Sequence, residues 1–229
     1  LVRSRGLGDV YKRQLLRSAF IMTTKIAING LGRIGRMVLR VALNREDVEV
    51  VALNASYPPE TIAHLLKYDT THGRFNQTVE ATENGIKVDG KEIKLVSDRN
   101  PENLPWGALD IDIVVEATGK FNHGDRANAH IKAGAKKVIL TGPSKGGEVQ
   151  TIVKGVNDHE LDVMQYDVFS NASCTTNCLA PVAKILNDHF GIENGLMTTV
   201  HAVTNDQNNL DNPHKDLRRA RAALSLIHI

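Results

Sequence analysis

The sequence predicts an α/β fold, a mostly parallel sheet with helices between its strands, followed by the truncated start of an α+β domain. Three observations carry this. From Lys25 onward, short apolar runs alternate with helical periods. The run 48–54 is dense in valine, as a parallel strand buried on both faces requires. A glycine-rich turn stands between the first strand and the first helix.

Taken in order, residues 25–29 read as a strand, 30–35 as the glycine turn and 34–43 as an amphipathic helix. Residues 48–54 are the second strand. Pro58-Pro59-Glu60 opens a helix through Lys67, because a first helical position needs no N–H and tolerates proline. Alternation over 79–96 around Glu83-Asn84-Gly85 and Val88-Asp89-Gly90 predicts short antiparallel strands joined by tight turns. A strand at 111–115, a helix at 126–133 and a strand at 137–140 continue the series. Residues 166–172 form an apolar-polar run and 179–190 a helical one. A strand at 196–200 is expected to lead into His201. The change of character at 171–173 marks the predicted boundary, with 22–172 as the first domain and 173–223 as the beginning of the second.

Both ends read as foreign. Residues 1–21 carry Arg3, Arg5, Lys12, Arg13 and Arg17 against Asp9 alone, a composition that also fits a transit peptide. Met22-Thr23-Thr24-Lys25 resembles a normal start just before a strand, which favours a non-native flank. Residues 224–229 follow a basic, polar run without a closing element and read as a non-native tail. The chain is therefore expected to be a piece of a longer protein.

The 229 residues are 41% hydrophobic and 24% charged with a formal net charge of +2, enough for one or two domains with a real core. Neither nucleic acid nor a membrane is implied as the main partner, and no apolar run is long enough to span a bilayer. Two cysteines four residues apart on one helix make neither a disulfide framework nor a metal site, since no second Cys or His pair stands at ligand spacing. The reading is a cytoplasmic protein of a reducing compartment.

Asn29-Gly30-Leu31-Gly32-Arg33-Ile34-Gly35-Arg36 contains G-x-G-x-x-G between strand and helix. Gly30 permits the turn, Gly32 admits a pyrophosphate close to the backbone, and Gly35 lets helix and strand approach. The following helix N-terminus supplies N–H donors to the anion. This is the pattern of a Rossmann-type dinucleotide-binding domain. The acid expected about 20 residues on, which would hold the ribose hydroxyls, is missing. Asn54-Ala55-Ser56 ends the second strand instead, and a small residue followed by a hydroxyl leaves room for a 2′-phosphate. NADP thus becomes a candidate cofactor beside NAD; the other reading is a ribose that is held less tightly.

Ser173-Cys174-Thr175-Thr176-Asn177-Cys178 places a thiol where a strand ends and a helix begins. The unpaired N–H groups of a helix N-terminus favour thiolate over thiol, which makes Cys174 a candidate nucleophile. Cys178, one turn deeper on the same face, is expected to be the more buried and less reactive. The competing reading makes both cysteines small core residues.

Taken together, six segments resemble phosphorylating glyceraldehyde-3-phosphate dehydrogenases: residues 28–36, 67–73, 116–119, 173–178, 201–207 and 213–219. The resemblance covers residues 22–223. It implies that Cys174 is the nucleophile and His201 its base, with an aldehyde oxidised to an acyl phosphate through a thioester. Nothing but the resemblance selects His201 over His72, His189 and His214. It further implies that Ser173, Thr175, Thr204 and Arg219 contact glyceraldehyde 3-phosphate and inorganic phosphate. For the cofactor it implies Arg33 and Ile34 at the pyrophosphate, Arg99 near the adenine, and Thr118, Gly119 and Thr141 at strand ends. The other readings of Ser173 and Thr175 are helix caps, and of Arg219 a solvated charge.

Two departures matter. Ala55 stands where NAD-preferring members of that family carry aspartate, and Asn212 replaces an apolar residue near a neighbouring subunit's cofactor. Both resemble the NADP-preferring, biosynthetic branch. The resemblance implies a homotetramer for the full-length parent and places part of the catalytic sheet beyond residue 229. It also leaves two alternatives, an erythrose-4-phosphate dehydrogenase and an inactive cofactor-binding fragment. Thr204 favours the triose substrate over the tetrose.

Overall fold

The structure is a computed structural model that describes residues 23–210 and 212–221. The flank at 1–21, Met22 and the tail at 224–229 lie outside the described residues. The chain divides into two compact units, the first ending at Asn177 and the second starting at Cys178.

The first unit is built on a nine-stranded sheet. Its strands are β1 (Thr24–Asn29), β2 (Val48–Asn54), β3 (Val79–Thr82), β4 (Gly85–Val88), β5 (Lys91–Val96), β6 (Ile113–Glu116), β7 (Lys137–Leu140), β8 (Gln150–Thr151) and β9 (Val168–Ser170). Three helices alternate with them: α1 (Arg33–Ala42), α2 (Pro59–Lys67) and α3 (Gly124–Lys132). The spatial order is β3-β4-β5-β2-β1-β6-β7-β9-β8. β1 pairs in parallel with β2 on one side and β6 on the other. The chain leaves β1 toward β2 and returns on the opposite side at β6, so the sheet changes winding direction beside β1. That switch point opens a crevice at the carboxyl ends of the strands, where open α/β sheets bind ligands.

The expected strand-helix alternation forms, with edges shifted by a few residues. β3, β4 and β5 are antiparallel neighbours. Asp89 and Gly90 have φ of 44° and 85°, the two left-handed residues that a tight two-residue hairpin turn requires. Successive side chains of β1 feed opposite faces. Ile26 and Ile28 join Leu39 of α1 and Leu66 of α2 in one cluster, while Ala27 joins Trp106, Ile111 and Val114 in the other. Each fully buried Leu or Ile contributes about 1.5–3 kcal/mol relative to exposure.

A fourth helix, α4 (Cys174–Phe190), starts five residues before the predicted helical run. Its first turn, Cys-Thr-Thr-Asn, carries no apolar period; the Ser173 side chain starts the helix instead, accepting the Thr176 N–H at 3.0 Å. In the second unit the predicted strand at 196–200 does not form, and these residues have no regular structure. A strand needs a ladder partner for its backbone groups, and no described strand pairs with this one. Leu196 and Val200 stand fully in solvent at 106% and 100% relative exposure. No helix among the described residues is long and apolar enough to cross a membrane.

Candidate functional site

The crevice at the switch point is a cavity of about 580 Å³. Of the predicted cofactor residues, Gly30, Gly32, Asn54, Ala55, Ser56, Arg99 and Thr118 line it together. They arrive from the ends of β1, β2, β5 and β6. Asn29, Tyr57, Asp98, Lys120 and Phe121 also line it and were not singled out in the sequence. Lys120 and Phe121 directly follow residues 116–119, so proximity to that segment was the available signal.

The three glycines of the turn differ in their surroundings. Gly30 has φ of 94°, and a Cβ there would lie 2.7 Å from the Thr118 methyl group. A Cβ on Gly35 would come within 1.9 Å of the Gly30 carbonyl oxygen, so this glycine is required by close packing of α1 on the turn. At Gly32 a Cβ would meet no protein atom within 4 Å. That lining glycine therefore keeps space open rather than relieving an internal clash. Gly32 also caps α1 without any side-chain hydrogen bond, and α1 has no acid in its first turn. The first N–H groups of α1 are left to meet an anion. Uncapped donors, an open backbone approach and the cavity beside them fit a pyrophosphate.

Arg33 and Ile34 open α1 but do not line the cavity, and Arg33 is paired with Asp69 at 2.9 Å. Asp69 accepts the N–H groups of His72 and Thr71 at 2.8 and 2.9 Å. These donors, with the His72 ring and the Arg33 charge, hold its carboxyl far below the usual range. Arg36 donates to the Leu31 carbonyl at 2.9 Å, while burial, reinforced by the charge of Arg33, lowers its pKa. Gly119 sits just outside the cavity lining. Thr141 binds the Glu116 carbonyl through its N–H and its hydroxyl, both at 3.0 Å, and so ties β7 to the end of β6.

Asn54 lines the cavity with its amide already engaged. Its Nδ2 donates to Asn29 Oδ1 at 2.6 Å and to the Asp98 carbonyl at 2.8 Å, and its Oδ1 accepts the Asp98 N–H at 3.1 Å. It therefore supplies shape, while Ser56 and Arg99 remain exposed at the rim. No acidic side chain directly follows β2; in the same cavity Arg99 and Lys120 bring positive charge and Asp98 a negative one.

Cys174 occupies the first position of α4 and is solvent-exposed. Just before it, Ala172 is buried with φ of 57°, a conformation strained for alanine. Its N–H donates to Ser170 Oγ at 3.1 Å, and Ser170 Oγ donates to the Gly142 carbonyl at 2.9 Å. That bracing sets the direction in which the chain enters α4. Ser173 acts here as a helix cap, and Thr175 is buried with its hydroxyl 4.0 Å from the Cys174 sulfur.

The expected burial of Cys178 is not observed: it is exposed, as Cys174 is. It shares α4 with Leu179, Val182, Ile185 and Leu186, all of which also stand in solvent, so that stretch of helix is not covered.

In the second unit, His201 Nδ1 lies 2.6 Å from the Ala202 carbonyl oxygen. The oxygen can only accept, which puts hydrogen on Nδ1 and leaves the lone pair of the neutral ring on Nε2. Thr204 donates its N–H to Gln207 Oε1 at 2.9 Å. Arg219 is buried and bound through Nε and Nη2 to Asp206 at 2.8 and 2.7 Å, which neutralises it locally. Asp216 caps the short turn Leu217–Arg219, and the Arg218 side chain pushes its pKa down to about 2. Asn212 is exposed in this unit.

Comparison with known proteins adds an independent line. Residues 24–124 match the family model described as glyceraldehyde 3-phosphate dehydrogenase, NAD binding domain. Residues 173–228 match that of the glyceraldehyde 3-phosphate dehydrogenase C-terminal domain. A curated relative from Staphylococcus epidermidis named glyceraldehyde-3-phosphate dehydrogenase 2 is 76% identical over 201 residues, covering 88% of this chain and 59% of the relative. Relatives of the same name from Staphylococcus aureus are 73% identical over the same length. The chain thus spans about 59% of the curated relatives it matches.

Proposed function

We propose that this chain, whose residues 24–124 and 173–228 match the two glyceraldehyde 3-phosphate dehydrogenase domain models, supplies the cofactor site and the nucleophile of a phosphorylating aldehyde dehydrogenase. The observation that carries this reading is Cys174 at the first position of a helix that starts beyond the last strands of a dinucleotide-type sheet. The substrate is glyceraldehyde 3-phosphate, with inorganic phosphate as the second reactant. The full protein acts in the cytoplasm, in glycolysis or gluconeogenesis, as a homotetramer.

The Cys174 sulfur attacks the aldehyde carbon to form a hemithioacetal. His201 takes the hydroxyl proton through Nε2, the nitrogen its Nδ1 contact with Ala202 leaves basic. The bound dinucleotide supplies a hydride acceptor. The resulting Cys174 thioester is then cleaved by inorganic phosphate, which leaves as the acyl phosphate and returns the thiolate. Ser173, Thr175, Thr204 and Arg219 offer the polar groups for the two phosphates. For Arg219 this requires that a phosphate compete with Asp206.

NADP is the preferred cofactor and NAD the weaker one. Ala55 and Ser56 leave the β2 end without the carboxylate that would repel a 2′-phosphate, and Arg99 and Lys120 outnumber the one acid of the cavity lining, Asp98. Asn212 supports the same preference through the family resemblance. In steady-state assays of the full-length protein, kcat/KM is expected to be higher with NADP; a clear NAD preference would overturn the argument from Ala55.

Cys174→Ser in the full-length protein is expected to abolish acyl-enzyme formation, detected as a mass increase on the protein, while Cys178→Ser retains it. Equal losses in both would show that the nucleophile is misassigned. The 229 residues alone are expected to bind dinucleotide without turning over, because the segment around His201 has no regular structure to hold it. Measurable turnover by this chain would refute that part.

A further inference from the structure

Beneath the cofactor cavity lies a buried polar cluster that the proposed chemistry does not use. Glu116, at the end of β6, and His130, on α3, are both fully inaccessible to solvent. Glu116 Oε2 accepts from Asn29 Nδ2 and lies 3.0 Å from His130 Nε2. Glu116 Oε1 accepts the Thr118 N–H at 2.7 Å and the Thr118 hydroxyl. On the far side of the ring, the Trp106 indole N–H donates to His130 Nδ1 at 3.0 Å. An indole nitrogen can only donate, so Nδ1 accepts and the ring hydrogen sits on Nε2, facing Glu116.

The direction of every bond in this chain is forced. At one end the Asp98 backbone offers one donor and one acceptor to the Asn54 amide, which fixes its orientation. Asn54 Nδ2 then faces Asn29 Oδ1, so Asn29 must turn its own Nδ2 toward Glu116. At the other end Trp106 fixes His130 as a donor. All groups converging on position 116 are donors: Asn29, Thr118 twice, and His130. Only a residue that accepts through both oxygens satisfies them, and a buried donor facing a donor is costly. Asn29, Asn54, Asp98 and Thr118 all line the cofactor cavity.

We propose that Glu116, oriented by His130 and Trp106, is a positioning residue for the dinucleotide site: its carboxylate anchors the Asn29 amide, whose direction Asn54 and the Asp98 backbone fix, and holds the Thr118 turn in place. This rests on the reading of the cavity as a dinucleotide site. It assigns a role in cofactor affinity to Glu116, His130 and Trp106, none of which lines the cavity.

The test is calorimetric binding of NADP and of NAD to the 229-residue chain. Glu116→Gln keeps the shape and puts one donor where an acceptor is needed; both dissociation constants are expected to rise about tenfold. Val138→Ala, in the apolar cluster beside α3, controls for lost stability, with dissociation constants staying within about twofold even where its Tm falls as far. His130→Phe, which removes one donor and leaves the cavity lining intact, is expected to weaken binding about fivefold. It decides the matter if Glu116→Gln does not fold. Affinity within about twofold of the parent in the folded variants, or an equal loss in Val138→Ala, overturns the proposal. So does failure of both cluster variants to fold where Val138→Ala does, since the role would then be structural. A parent chain that binds neither nucleotide overturns the reading of the cavity itself, and the proposal with it.

Discussion

The two units differ in what they bury. In the first, α1 and α2 set Leu39 and Leu66 against Ile28 of β1 with no exposure, and the sheet pairs its central strands on both sides. In the second, Phe190, Leu196 and Val200 stand in solvent and no strand forms among the described residues. The proposed functional groups follow this division. The cavity in the first unit is made of turns at strand ends, so completing the sheet completes the site. The second unit carries His201, Thr204 and Arg219 on stretches with little regular structure, where side-chain positions are set by local contacts such as that between Arg219 and Asp206. A cavity at strand ends needs its own sheet and the side chains buried beneath it. A site made of side chains needs whatever packs behind them.

Matched leucine truncations bring out that contrast with the largest effect. Leu39→Ala removes a fully buried side chain and is expected to cost about 2–5 kcal/mol in denaturant unfolding. Leu196→Ala, at full exposure, should stay within about 0.5 kcal/mol. Similar losses at both positions would mean that Leu196 is buried in solution and that the contrast between the units is false.

Next in size is Gly35→Ala. The new methyl would meet the Gly30 carbonyl oxygen, so the turn or α1 must shift, at a cost of about 1–3 kcal/mol. Because the displaced turn carries the predicted pyrophosphate contacts, NADP binding should fall with it. Gly32→Ala, which meets no protein atom, should leave unfolding nearly unchanged while still weakening binding. Binding that survives both substitutions would separate the glycine turn from the cofactor.

These residues show how much was legible in the sequence. The alternation from Lys25 to Leu140 set out the α/β sheet, because parallel strands and their helices announce themselves by local period. The glycines of the turn were legible too, because their spacing between a strand and a helix is itself a local pattern. The Glu116–His130 cluster was not, since Trp106 comes from a turn and Asn29, with Asn54 behind it, from the ends of β1 and β2, and no spacing rule joins them. The strand expected at 196–200 failed on the opposite count. Its composition suits a strand, but pairing is a property of a partner, and no described strand provides one. Cys178 failed likewise, since helical phase predicts a face and not what covers it.

The smallest expected effect belongs to Asp69, on the loop that follows α2. Its side chain is only 2% exposed, while its partner Arg33 is half exposed at 51%, so solvent screens their attraction. What holds the carboxylate is chiefly the N–H of His72, then that of Thr71, with Arg33 contributing less. Asp69→Asn keeps the size and loses the charge, and should lower Tm by about 1–2 °C at neutral pH. The pH dependence identifies the cause. A carboxyl whose folded pKa lies below its unfolded value stabilises fully above about pH 4 and loses that contribution as pH falls toward the folded value. The Tm gap between the parent and Asp69→Asn should therefore be constant from pH 7 to 5 and close below pH 4. A gap that stays constant down to pH 3 would assign the effect to the shape of the loop rather than to the charge of Asp69. Arg33 would then owe its position at the start of α1 to packing alone.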